Sequence, residues 1–303
     1  MNTNTLKQNI PDGLLKRQAW KYYAVIVAWL IYLFFLPWTW SCHAALSFIL
    51  MIFPGVYIFT EMGFLMHECW HHYVPNVPNN FLYRIFSWLL LTDPQVYHLL
   101  HGSHHSQVNS WADLEFHPFG EIKSRPWLIL LNISELVFGI AALVILQTLM
   151  MTNNPHFRGK FRIKGFLTAI FMWTVYLVLI GWAAQRTFSL PVSEVVVPYI
   201  LTFWIGSMVL HHSQLIEHGN LIVAGDWNER NSKTRNLAAG GWGERLFIFL
   251  THGDAHEHVL HHVYPSVHSR IIPGRIPLPP NAVIITLREY RVIIFNMILG
   301  RQD

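Results

Sequence analysis

The sequence predicts an all-α integral membrane protein with four transmembrane helices in two hairpins, interfacial helices and a cytoplasmic histidine-rich cap. Hydrophobic residues make up 52% of the 303-residue chain and charged residues only 13%, against about 25% charged in an average soluble domain. Several apolar runs reach the roughly 20 residues that a helix needs to span the hydrocarbon of a bilayer. We expect one domain over residues 1–303, because no linker separates a region large enough to fold alone.

The first predicted hairpin joins the apolar runs at 22–40 and 44–66. Lys16, Arg17 and Lys21 come before the first run, and positively charged residues favour the cytoplasmic side of a membrane. The second run therefore returns the chain to the cytoplasmic face. A cleaved signal peptide is the weaker alternative for the first run, because this run is long and lacks a clear cleavage site.

The second predicted hairpin joins the runs at 166–184 and 195–215. A further apolar run at 127–151 is harder to place, because a full crossing would move the basic segment 156–164 and the histidines of 211–218 to the outside. We therefore expect 127–151 to lie in, or dip into, the cytoplasmic interface. Every histidine cluster then faces the cytoplasm, from a bacterial inner membrane or from the endoplasmic reticulum.

The strongest functional signal is the set of 19 histidines, most of which fall in four tight clusters. HECWHH, HGSHH and HVLHH space their histidines three or four residues apart, which gathers imidazole rings on one side of a helix; the fourth cluster is HHSQLIEH. Crowded imidazoles repel one another when protonated, so a metal ion is the reason to keep them neutral and together. A catalytic zinc ion takes only three protein ligands. Eight or nine clustered histidines therefore indicate two metal ions.

Two other interpretations of these histidines are remote. HECWH has the H-E-x-x-H pattern of zinc proteases, in which Glu68 would act as general base. An intramembrane zinc protease would leave the other clusters unexplained. A metal transporter is the non-enzyme alternative, but transporters generally hold polar ligands near the bilayer midplane, whereas these histidines lie at the ends of the predicted spans.

Taken together, the motifs resemble those of the membrane fatty acid desaturase and hydroxylase superfamily. HECWH is similar to the first histidine box of that family, HGSHH to the second and HVLHHVYPSV to the third, with the resemblance covering about residues 22–275. The resemblance implies a non-haem di-iron centre that uses dioxygen to attack a C–H bond of a lipid acyl chain. The metal ligands that it implies on this chain are His67, His71, His101, His104, His105, His218, His258, His261 and His262.

The resemblance leaves several choices open. His72 is an alternative to His71 as a ligand, because some members of the family use a longer spacing. Desaturation of a fatty acyl chain is the favoured reaction; a hydroxylase or ketolase acting on a lipid, an alkane or a carotenoid is the alternative. We expect a separate electron-donor protein of the ferredoxin or cytochrome type. The modest formal charge of +4 does not indicate a nucleic-acid partner.

Three acidic residues near the clusters have weaker assignments. Glu217 and Asp254 are candidates for orienting ligand imidazoles, although acids at helix ends are more often solvated. Glu61 lies inside the second predicted span, where an ionisable side chain is costly and often functional. The sequence is equally compatible with Glu61 facing the metal site and with Glu61 facing away.

Overall fold

A computed structural model describes residues 20–32, 44–117, 119–139, 163–265 and 277–301 of the chain. These residues are mostly helical, as predicted, with one short parallel β-ladder that the all-α prediction did not include. The helices are α1 (20–32), α2 (Ala44–Trp70), α3 (Asn79–Leu89), α4 (Pro94–Gln107), α5 (Arg125–Phe138), α6 (Ile163–Phe188), α7 (Val192–His218), α8 (Trp227–Ser232), α9 (Trp242–Leu250), α10 (Asp254–Val263) and α11 (Leu287–Ile298). The strands are β1 (Arg235–Leu237) and β2 (Val283–Ile285).

Two helices in the described part of the chain are long and apolar enough to cross a membrane. They are Leu167–Phe188, within α6, and Val192–His218, which is α7. They correspond to the second predicted hairpin, and the complete helices α6 and α7 extend beyond its predicted ends at 166–184 and 195–215. The four-span arrangement and the cytoplasmic orientation remain predictions. The second half of the predicted first span lies outside the described residues.

The close packing of α2 against α7 brings the ends of both helices together. A Cβ atom added to Gly63 of α2 would lie 2.6 Å from Leu210 of α7, and one added to Gly206 of α7 would lie 2.4 Å from Phe59 of α2. Only glycine leaves room for so close an approach. α2 also continues past the predicted end of its span to Trp70, so that the first histidine box is helical.

The β-ladder positions the segments that follow α7. β1 pairs in parallel with β2, with Asn236 opposite Ile284. Arg235 of β1 is buried and points back to the end of α7, where its Nε atom donates to the carbonyl of Ile216 at 3.0 Å. The Asn236 side chain accepts from the backbone N–H of Val259 in α10 at 3.0 Å. β1 therefore links the end of α7 to α10.

Helix α5 covers only part of the predicted interfacial segment 127–151, because residues after Gly139 lie outside the described residues. One face of α5 carries exposed apolar side chains, including Trp127 and Leu130. Its other face is fixed to the protein by Asn132, whose amide donates to the carbonyl of Met297 at 2.7 Å. An exposed apolar face is typical of a helix that lies at a membrane interface.

Candidate metal centre

Four helix ends supply the histidines that the sequence analysis selected. α2 supplies two of them, α4 three, α7 one and α10 three. The structure brings all nine together, in two separate groups in which the potential ligand atoms lie within 4.8 Å of one another. Group A is His67, His71, His101, His105 and His261. Group B is His104, His218, His258 and His262.

The two H-x-x-H-H motifs explain why there are two groups. In α4, His101 and His105 are four residues apart and join group A, while His104 points to group B. In α10 the division is reversed, because His258 and His262 join group B and His261 joins group A. Residues four apart share a helix face, and the middle histidine of each motif projects at a different angle. Each motif therefore contributes to both groups and holds them side by side.

In group A, the rings meet through their Nε2 atoms. The Nε2 atom of His261 lies 3.1 Å from that of His67 and 3.1 Å from that of His105. His101 Nε2 lies 3.1 Å from His105 Nε2 and 3.4 Å from His71 Nε2. His71 and His105 are half-buried and the other three are buried, so this group lies nearer the protein surface.

Group B is fully buried. The Nε2 atom of His262 lies 2.9 Å from that of His258 and 3.2 Å from those of His218 and His104. His218 Nε2 and His258 Nε2 are 2.8 Å apart. The Phe116 ring covers part of this group, with its centre 5.1 Å from the His104 ring and 4.8 Å from the His218 ring.

The other ring nitrogen, Nδ1, faces oxygen atoms in several of these histidines. His101 Nδ1 lies 3.0 Å from Glu115 Oε2, and His104 Nδ1 lies 2.8 Å from Asp113 Oδ2. A carboxylate only accepts hydrogen bonds, so the ring proton belongs on Nδ1 and Nε2 carries a lone pair. Such partners orient a metal-binding imidazole and raise its basicity.

Group B has the same arrangement on its other side. His218 Nδ1 lies 2.8 Å from Asn109 Oδ1, and the amide nitrogen of Asn109 donates to the carbonyl of Arg230 and to Thr234 Oγ1. Those two bonds fix the amide so that its oxygen faces the histidine. His258 Nδ1 lies 3.2 Å from both Asp254 Oδ1 and Glu217 Oε2.

The donor set fits two metal ions. Lone pairs on neighbouring Nε2 atoms about 3 Å apart repel one another, and a cation between them removes the repulsion. Nitrogen atoms that each lie about 2.1 Å from one ion are separated by about 3.0 Å at a right angle and about 3.4 Å at the tetrahedral angle. The distances between the nitrogen atoms that contact one another, from 2.8 to 3.4 Å, fall close to this range.

The structure corrects one interpretation and adds three residues. Glu217 and Asp254 are buried, not solvated, and both contact His258. The sequence analysis did not select Asn109, Asp113 or Glu115, which are also buried. Their position in the sequence could have indicated them, because Asp113 and Glu115 follow the second histidine box within one short turn-rich segment.

Other histidines and Glu61 lie outside the two groups. His72 is exposed with a φ of 60°, and its neighbour His71 takes the place in group A. Glu61 is buried and its carboxyl group contacts the Nε2 atom of His252, in the turn before α10. Glu61 therefore connects α2 to that turn and is not among the potential ligands.

The comparison with protein families gives one match. A sequence model described as fatty acid desaturase matches residues 45–273, which is more than half of the chain. The matched region includes all nine histidines of groups A and B. No curated protein sequence matches the chain significantly.

Proposed function

Because the chain belongs to the fatty acid desaturase family, we propose that it is a di-iron, dioxygen-dependent oxidoreductase that introduces a double bond into a lipid acyl chain. The observation that carries this proposal is the convergence of nine histidines into two adjacent groups with their Nε2 atoms facing inward. Two bound irons would supply the activation of dioxygen that removal of hydrogen from an unactivated carbon requires. Imidazole suits iron, but also zinc, copper and nickel, so the identity of the metal is part of the proposal.

The overall reaction defines what the protein must provide. One hydrogen leaves each of two adjacent carbons, and dioxygen takes up these hydrogens together with two electrons and two protons to form two molecules of water. The electrons come from a separate one-electron carrier protein of the ferredoxin or cytochrome type. Group A, with His71 and His105 half-buried, lies on the more accessible side of the centre.

The residues of the chain have three tasks in this proposal. The histidines hold the two ions, and the oxygen atoms of Asp113, Glu115 and Asn109 keep the ring protons on Nδ1. Burial of group B and the Phe116 ring limit the access of water to group B. Exclusion of water prevents side reactions of the activated oxygen.

The proposal includes the membrane arrangement. α6 and α7 are apolar enough to span a bilayer, and we assign α1 and α2 to the first predicted hairpin. The histidine-bearing ends of α2 and α7 meet on one side. The positive-inside rule places this side in the cytoplasm.

A zinc protease receives little support from the geometry. Its general base would be Glu68, which must face water on the metal ion. Glu68 is instead fully buried, and Tyr22 Oη donates to its Oε2 at 3.3 Å. His67 and His71 also belong to a group of five histidines, which is more than the three protein ligands of a catalytic zinc.

Metal analysis and lipid analysis together test the proposed function. Purified protein should contain about two irons per chain, and zinc alone would contradict the proposal. Lipids of a host that expresses the protein should include acyl chains that have lost two hydrogens, absent from a host expressing His261→Ala. A gain of one oxygen in place of hydrogen loss would identify a hydroxylase on the same centre.

A further inference from the structure

A cavity lies beneath α5, bounded by the 111–122 segment, the end of α7 and α11. Its wall is mostly apolar and includes Phe116, Ile122, Leu128, Leu131, Leu215 and Met297. His218 of group B forms part of the same wall. The cavity therefore adjoins the histidines that we assign to the metal centre.

Phe116 lies where the cavity meets group B. It lines the cavity and also contacts the rings of His104 and His218, with ring centres 5.1 and 4.8 Å away. The size of this side chain therefore controls how far a molecule in the cavity can advance along group B. A change of size there alters the depth of the cavity without removing a nitrogen or oxygen ligand.

The roof of the cavity, α5, has apolar side chains on both faces. Leu128 and Leu131 face the cavity, while Trp127 and Leu130 on the outer face are each 55% exposed. An exposed apolar face is typical of a helix at a membrane interface, so the cavity lies on the inner side of a helix whose outer face suits contact with lipid.

A second cavity, between α1, α2, α6 and α7, is the obvious competitor. It is also lined by aromatic and apolar side chains, including Trp29, Tyr199 and Phe203. None of the described residues that line it belongs to group A or group B. A chain bound there would lie away from the histidines.

We propose that the cavity beneath α5 holds the acyl chain during oxidation and that Phe116 determines which carbon lies beside group B. This inference rests on the proposed function. Glu135 is the one acidic residue, and neither lysine nor arginine occurs, among the described residues that line the cavity. The lining therefore disfavours a carboxylate or a phosphate. The methyl end enters the cavity, and the carboxyl end or head group stays outside.

Photo-crosslinking tests the location with a readout that does not depend on bound iron. The probe is a phosphatidylcholine whose acyl chain carries a diazirine, mixed with the full-length protein in lipid nanodiscs, with and without iron. Labelled peptides of the wild-type protein should map to 111–122, α5 and the end of α7. Labels confined to the cavity between α1, α2, α6 and α7 would overturn the inference.

A pair of substitutions on one helix adds a matched control. Leu131→Trp fills the cavity, whereas Leu130→Trp adds the same ring to the exposed face of α5. Labelling should fall about tenfold in Leu131→Trp, the effect of overfilling a fitted site, and should not fall in Leu130→Trp. Equal labelling in both variants would contradict the assignment.

Phe116→Ala tests the depth of the cavity. In iron-loaded protein, this variant should move the double bond to another carbon of the same lipid while the iron content stays unchanged. A double bond at the original carbon would show that Phe116 does not determine which carbon is oxidised. If the probe labelled the cavity beneath α5 but no oxidised product formed, the proposed function would be contradicted and the binding site would still be supported.

Discussion

His67 Nε2 and His261 Nε2 lie 3.1 Å apart, although the two residues are separated by 194 positions in the chain. One is near the end of α2, the helix that contains the second predicted span, and the other is in α10. A metal ion bound by both would therefore join these two helices directly. Metal binding and the packing of α10 against α2 are then coupled, because the ligands are assembled only in the folded protein.

Substitution of His261 should remove metal from group A and leave group B occupied. In His261→Ala, we expect the iron content of the purified protein to fall from about two to about one per chain, because group B does not include this residue. Elemental analysis measures the ratio of iron to protein.

His256→Ala is the matched control, on the same helix and with the same substitution. The His256 Nδ1 atom donates to the carbonyl of Leu237 at 2.7 Å, and the residue lies in neither group. Iron should therefore remain at about two per chain. Equal losses of iron in both variants would mean that the effect comes from damage to α10 and not from a ligand.

The choice between His71 and His72 also has a direct test. His71 belongs to group A, while His72 is exposed and has left the helical conformation. We expect His71→Ala to lower the iron content and His72→Ala to leave it unchanged, as measured by elemental analysis. The reverse result would show that the turn after α2 rearranges when metal binds.

The convergence of the three histidine boxes was predictable because their spacing repeats along the sequence, and helices convert such spacing into shared faces; His218 was selected through the family resemblance. Two metal ions were expected, but the sequence did not predict which histidines would share each group. This division depends on the angle between α4 and α10, which is a property of tertiary packing. His101 and His104 are three residues apart but belong to different groups.

The residues whose oxygen atoms face the imidazole rings were harder to predict from the sequence than the histidines themselves. Asn109 and Asp113 lie in an irregular segment that no hydrophobic period describes. Glu217 and Asp254 lie at helix ends, where solvation is the usual state, and they are buried only because α7 and α10 meet there. Spacing along the sequence indicates which residues share one face of a helix, whereas these contacts form between segments that are distant along the chain.

Removal of the charge next to His104 should weaken metal binding without unfolding the protein. Asp113→Asn puts an amide in place of the carboxylate that lies 2.8 Å from His104 Nδ1. Loss of such a partner typically lowers metal affinity about 10- to 100-fold. Competition with a chelator measures the change. Glu121→Gln, an exposed acid-to-amide change in the same region, should leave the affinity unaltered.

The start of α4 should respond differently to two substitutions of Asp93. The Asp93 side chain caps α4 by accepting from the backbone N–H of Gln95 at 2.8 Å, and burial raises the pKa of its carboxyl group. Asp93→Ala loses the cap and should lower the free energy of unfolding by about 1 kcal/mol. Asp93→Asn keeps the acceptor and removes the buried charge, so the protein should be at least as stable as the wild type at pH 7.

The stability difference between Asp93→Asn and the wild type should depend on pH in a defined direction. A raised pKa in the folded state means that the contribution of Asp93 to stability is present below the unfolded value, about 3.9, and is lost as the pH rises through the folded value. The advantage of Asp93→Asn should therefore shrink as the pH falls from 7 towards 4. Thermal unfolding in detergent at several pH values measures it, and an advantage that grows on acidification would contradict the assignment.

Arg235 should stabilise the end of α7 and, through it, the position of His218. Its guanidinium group is buried and donates to the backbone carbonyls of Ile216 and Gly219, which lack partners within the helix. Arg235→Met keeps much of the volume but leaves these carbonyls without their donor, which should cost about 2 kcal/mol of unfolding free energy. Thermal unfolding in detergent measures the loss.

The same substitution should also weaken metal binding by group B, because His218 lies between the two carbonyls that Arg235 holds. Iron analysis of Arg235→Met at a temperature where the protein remains folded separates this effect from unfolding. Arg245→Met, at an exposed arginine of α9, is the control and should change neither stability nor iron content. If Arg235→Met lost stability but kept all its iron, the position of His218 would not depend on Arg235.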